Sequence, residues 1–271
     1  MEQMQIDQVE LRHEVTGSGE AVLLVSLGPI ADGFLPFVSQ QVLAGHYRLI
    51  RYHQRRLDAN APVAVPVSFA EHAADGVALL RHLGVGRAHV VGHSSGAAIA
   101  LQMAYDHPDV VHSLTLLEPP LMAVASAADF LEQAGPALAA YAAGEHERAM
   151  KLFLAMACSL DWETCRAHLK KHVPGGVEQA LRDAENFFGS YLPALSAWQF
   201  GTSQASAIAR PVLSVVGTDT QRLFAESHEL LHIWFRQLED CTIEGVAHLL
   251  HLQRPEPVAR GIASFIARHP I

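Results

Sequence analysis

Gly92-His93-Ser94-Ser95-Gly96 places a serine between two glycines, at the point where a short apolar run, His89 to Val91, gives way to an apolar helical pattern over Ala97 to Tyr105. So tight a turn from strand into helix leaves no room for side chains beside the serine, which accounts for the glycines and holds the hydroxyl out from the turn. A serine hydroxyl is a weak nucleophile at neutral pH. It becomes a strong one when an imidazole within hydrogen-bond reach takes its proton and a third group orients that imidazole. His248, in Gly245-Val246-Ala247-His248 after the last strand pattern, is the base that this reasoning selects from 17 histidines. His93 reads as a packed neighbour and His251 as structural; Cys158 and Cys165 read as small buried side chains outside the chemistry.

A rival motif is His228-Glu229-Leu230-Leu231-His232, which fits H-E-x-x-H, two histidines one helical turn apart that could bind zinc with glutamate as general base. Phe235 stands where the extended zinc-protease signature requires glycine, and in a histidine-rich chain the short match arises easily. The segment therefore reads as an ordinary amphipathic helix with a polar outer edge. Neither a metal nor a cofactor is expected to take part in the chemistry.

The elements that must carry these groups follow an α/β rhythm. Val9 to Val15 alternates like a half-exposed strand, Ala21 to Val25 and Tyr47 to Tyr52 read as further strands, and Ser68 with Glu71 forms a capping box ahead of a helix that Gly84 stops. Val111 to Leu117 is the next strand, ended by Glu118-Pro119-Pro120. From Leu121 to about Ala209 no strand pattern is seen, only Ala-rich helical stretches broken at Pro136, Gly144, Pro174 and Pro193. The α/β rhythm then returns with the strand Pro211 to Gly217, a helix over Leu223 to Phe235, a strand near Thr242 to Glu244 and a last helix from Pro255 to about Ala267. The chain thus divides into a core of residues 1–120 and 210–271 and an inserted helical segment, 121–209.

Composition narrows the partners. The 271 residues are 50% hydrophobic, ample for a core, and 19 Lys plus Arg against 28 Asp plus Glu give a formal net charge of -9. No basic surplus exists for nucleic acid or an anionic membrane. Three cysteines in a chain of this length fit a reducing compartment, and the expectation is a cytoplasmic protein without a membrane span.

The ordered set of Gly92-His93-Ser94-Ser95-Gly96, the strand Pro211 to Gly217, and Gly245-Val246-Ala247-His248 followed by Leu249-Leu250-His251-Leu252-Gln253-Arg254-Pro255 resembles the α/β-hydrolase family over essentially the whole chain. The resemblance implies a mostly parallel central sheet flanked by helices, with residues 121–209 as a helical cap over the active site. It implies an oxyanion hole built from the backbone N–H of Ser95 and a second N–H in the loop Ser26-Leu27-Gly28-Pro29. Pro29 has no N–H, so the donor is Gly28 or Leu27, with Gly28 preferred. The loop His53-Gln54-Arg55-Arg56-Leu57-Asp58 lacks the glycines that many relatives carry there.

Two carboxylates compete to orient His248. Most relatives carry an aspartate three residues after the glycine that ends the penultimate strand; here that position is Thr220, and Asp219 lies one residue early. Glu118, at the end of the preceding strand, occupies a site from which some relatives supply their acid, and is favoured narrowly. Relatives that open epoxides or remove halogens use aspartate where Ser94 stands, whereas serine implies an acyl-enzyme. The expected activity is hydrolysis of an apolar small-molecule carboxylic ester or lactone, with carbon-carbon hydrolysis, a non-catalytic ligand-binding protein and a zinc protease as the alternatives. Phe130, Leu131, Phe153, Phe187, Phe188, Tyr191 and Trp198 are apolar side chains of the insert from which a pocket lining could be drawn.

Overall fold

In the computed structural model, which describes residues 1–6, 9–55, 57 and 66–271, one eight-stranded sheet runs through the molecule. Its strands are β1 (Glu2–Ile6), β2 (Val9–Thr16), β3 (Glu20–Val25), β4 (Tyr47–Tyr52), β5 (Ala88–His93), β6 (Val111–Leu117), β7 (Val212–Gly217) and β8 (Glu239–Ile243), in the spatial order β1-β2-β4-β3-β5-β6-β7-β8. β1 with β2 and β2 with β4 pair antiparallel, and every later pair is parallel. Part of the loop at 53–58 lies outside the described residues. No helix among the described residues is long and apolar enough to cross a membrane.

Continuous apolar runs arise because the central strands are covered on both faces. In β3, Leu23 and Val25 join one core with helices Phe69–His82 and Ser95–Asp106, while Val22 and Leu24 join the other with helix Pro255–Arg268. The capping box at Ser68 is formed: Ser68 Oγ accepts the Glu71 N–H and the Glu71 side chain accepts the Ser68 N–H. Two elements differ from the sequence expectation. β1 has no signal of its own and exists through its pairing with β2. β8 begins at Glu239 rather than near Thr242, because an edge strand pairs on one side only and tolerates the charged Glu239 and Asp240.

Residues 121–209, between β6 and β7, contain helices and no strand, the longest being Ala127–Ala142, His146–Cys158 and Trp162–His172. Their inward apolar residues, Phe153, Phe187 and Tyr191 among them, share a core with Leu27 and Ile30 of the loop after β3. That loop, the end of β5 and the end of β6 meet under this helical segment.

Candidate active site

The turn after β5 shows why its glycines are obligatory. A Cβ on Gly92 would lie 2.4 Å from the Gly96 carbonyl oxygen, and one on Gly96 would lie 2.2 Å from that of Val25. Ser94 itself is held at φ 55°, a conformation that non-glycine residues rarely adopt and that the surrounding packing must enforce. Its N–H is anchored on the Leu117 carbonyl at 2.8 Å, at the end of β6.

The hydroxyl meets His248. Ser94 Oγ lies 2.9 Å from His248 Nε2, and His248 Nδ1 lies 2.7 Å from Glu118 Oε2. The tautomer that satisfies this chain has Ser94 donating to Nε2 and Nδ1–H donating to the carboxylate. Glu118 Oε1 accepts the Gly217 N–H at 2.9 Å, so both carboxylate oxygens are engaged on a residue that is 1% exposed. Glu118 also adopts a positive φ, 46°, at the end of β6. Asp219, the competing acid, is exposed; its carboxylate accepts the Thr218 hydroxyl and its N–H donates to the Val246 carbonyl. The structure therefore brings Ser94, His248 and Glu118 into one hydrogen-bonded line and leaves Asp219 out of it. A line of this kind can pass the serine proton to the imidazole while the carboxylate stabilises the resulting cation.

The loop after β3 departs from the expected donor arrangement. The Gly28 N–H is spent on Ser95 Oγ at 2.9 Å, and Gly28 does not line the cavity, whereas Leu27 and Ser95 do. With the Gly28 N–H on the Ser95 hydroxyl, Leu27, the other donor expected from this loop, is the one whose residue lines the cavity, beside Ser95, whose N–H is an orphan donor in the first helical turn. Gly28 is needed for another reason. A Cβ there would sit 2.6 Å from the ring of Tyr191, whose hydroxyl donates to Ser95 Oγ at 3.2 Å.

Sequence reasoning gave no role to Phe224. Its ring stacks on His248 with centroids 3.8 Å apart and planes 8° from parallel, fixing the imidazole plane. Nothing local marks it, since Leu223 and Phe224 fit an ordinary amphipathic helix. Of the apolar insert residues singled out above, Phe130, Phe153, Phe187 and Tyr191 line the cavity; Phe188 stacks on Tyr141, Trp198 stacks on Phe200, and Leu131 is exposed. The cavity's described lining includes no Lys, Arg, Asp or Glu. The space open to the centres of water-sized molecules in it is about 40 Å³, a narrow cavity.

Behind His248, His93 Nε2–H donates to the His248 carbonyl at 2.9 Å, and the His93 ring lies 4.3 Å from that of His251. Burial, with the neighbouring imidazoles second, holds His93 well below the usual histidine range and pushes His251 down to about 3. Both stay neutral in the folded chain, while in the unfolded chain each takes a proton below about pH 6.5. Stability is therefore full above that pH and falls as pH drops toward 3, by up to ~1.4 kcal/mol per pH unit for each group. Denaturant unfolding between pH 7 and pH 4.5 should show this slope, and His251→Leu should flatten it by about one group's share. Equal slopes in the two proteins would remove His251 as a source of acid sensitivity.

His228 and His232 lie on the helix Arg222–Trp234 and do not line the cavity, and Glu229 is exposed.

Comparison with known proteins adds the following. A family model described as alpha/beta hydrolase fold matches residues 33–255. A protein named as a carbamate hydrolase, RutD, of Variovorax paradoxus (strain S110) is 40% identical over 112 residues, 40% of this chain and 41% of that protein. A fluoroacetate dehalogenase of a Burkholderia species is 35% identical over 118 residues, 42% of this chain and 38% of that protein. The matched region thus spans about two fifths of the length of these curated relatives. Among solved structures, an enol-lactonase from Burkholderia xenovorans LB400 superposes with a TM-score of 0.81 at 17% identity, covering 98% of this chain and all of the other, a likeness of fold.

Proposed function

The chain belongs to the alpha/beta hydrolase fold family, and on that premise we propose that it is a serine hydrolase cleaving a carboxylic ester or lactone of an uncharged, mainly apolar small molecule. The observation that carries this reading is the Ser94–His248–Glu118 hydrogen-bond line at the mouth of an apolar cavity whose described lining holds no charged side chain except His248 when protonated. As Ser94 Oγ attacks the carbonyl carbon, its proton passes to His248 Nε2, and the carbonyl π pair becomes an oxyanion held by the N–H groups of Leu27 and Ser95. Each such donor contributes ~3 kcal/mol to the transition state. Collapse of the tetrahedral species breaks the bond to the alkoxy oxygen, which takes the proton from His248 and leaves an acyl-Ser94. Water then gives a proton to His248 and attacks the acyl carbon, and the proton returns to Ser94 as the acid departs. Glu118 remains ionised throughout and stabilises the imidazolium.

Residues 121–209 serve in this reading as the cap, contributing Phe130, Phe153, Phe187, Tyr191, Leu192 and Leu195 to the walls. A substrate carrying a free carboxylate would meet no cation in that lining, which favours neutral esters and lactones over anionic relatives of them. The dehalogenase likeness does not extend to its reaction, because displacement of halide from carbon needs a carboxylate nucleophile where this chain has Ser94.

A fluorophosphonate probe tests the assignment directly. The expected result is one covalent adduct, mapped by peptide mass spectrometry to Ser94, with loss of p-nitrophenyl ester turnover in proportion to labelling. No adduct, or an adduct on another residue, would overturn it.

A further inference from the structure

The helix Arg222–Trp234 and the edge strand β8 bring together three side chains that the proposed reaction does not use. His228 and His232 are one helical turn apart, and Asp240 lies on β8 beside them. Asp240 Oδ1 is 3.2 Å from His232 Nε2 and 3.7 Å from His228 Nε2, and one donor atom from each residue lies within 4.8 Å of the other two. His228 is half-buried, and its other ring nitrogen, Nδ1, is held by Ser214 Oγ of β7 at 2.8 Å.

We propose that His228, His232 and Asp240 form a three-ligand site for one divalent cation of the zinc type, on the sheet edge away from the cavity. Bonds of ~2.0–2.1 Å at tetrahedral angles put neighbouring donor atoms about 3.3 Å apart. Two of the three separations already approach that value, and the third closes with small side-chain rotations on a helix that is exposed on this side. The contact with Ser214 holds the ring in place, and a cation bound at Nε2 would leave Nδ1–H to donate to Ser214 Oγ, the kind of outer contact that orients a ligating histidine. Two imidazoles and one carboxylate suit zinc, nickel or copper, whereas magnesium and calcium favour all-oxygen sets. The fourth position is left to water. Because the same helix carries Phe224 against His248, an occupied site would fasten the helix to β8 and stabilise the folded chain.

Titration calorimetry of untagged, chelator-stripped protein with zinc chloride at neutral pH is the test. One equivalent should bind and raise the Tm, and magnesium chloride should give no heat. His232→Ala and Asp240→Asn, both at exposed positions, should each weaken zinc binding at least ten-fold, and Ser214→Ala should weaken it by ~10–100-fold through loss of the ring anchor. Turnover of a p-nitrophenyl ester should be the same in zinc-loaded and stripped protein. Absence of zinc binding, equal binding of magnesium, unchanged zinc affinity in His232→Ala and Asp240→Asn, or turnover that depends on zinc would each overturn the proposal.

Discussion

Ser94→Ala is expected to lower kcat on short p-nitrophenyl esters by about 10^6 while the protein keeps its fold. The reaction as proposed runs through a bond to Ser94 Oγ, so no partial function survives its removal, and what remains is the weak help that the oxyanion donors give to water. The folded state should hardly notice. The hydroxyl's hydrogen bond is to His248, and alanine at φ 55° carries the same backbone strain that serine already does. Steady-state kinetics on the purified variant, beside its Tm, check both halves. Retention of more than a few per cent of activity would take the nucleophile's role away from Ser94.

Glu118→Gln should lower kcat by up to about 10^4, with little change in KM. The reason lies in the two contacts of the carboxylate. Oε1 accepts the Gly217 N–H and Oε2 accepts from His248 Nδ1. A glutamine that keeps its carbonyl oxygen on Gly217 must turn its NH2 group toward Nδ1. That nitrogen then has to be the acceptor, which puts the ring proton on Nε2, facing Ser94, where it cannot receive the serine proton. Asp219→Asn is the control and should stay within a few-fold of the parent, since Asp219 is exposed and engaged with Thr218. If Asp219→Asn is the crippled variant and Glu118→Gln turns over normally, the acid is Asp219.

What the sequence by itself determined was local. Gly92 and Gly96 mark the turn because a single Cβ at either would strike backbone, a constraint written into five consecutive residues. Ser68 and Glu71 cap their helix through contacts three residues apart, and the buried runs of β3 and β5 follow from burial on both faces of a parallel sheet. The order of the turn, the strand Val212–Gly217 and His248 was readable too, since each is a short pattern in its own right.

The tertiary structure decided what depends on distant partners. Glu118 and Asp219 could not be separated by spacing, because the outcome turns on the backbone of Glu118 bending to φ 46° and aiming its carboxylate at a histidine 130 residues away. That the Gly28 N–H meets the Ser95 hydroxyl and its Cα lies against the Tyr191 ring could not be read from the loop itself, because both partners come from other parts of the chain. Phe224 over His248, and Asp240 beside the His228 and His232 pair, carry no local mark at all. Short-range sterics and capping leave their trace in neighbouring residues, whereas a hydrogen bond between strand ends exists only once the sheet has fixed where those ends lie.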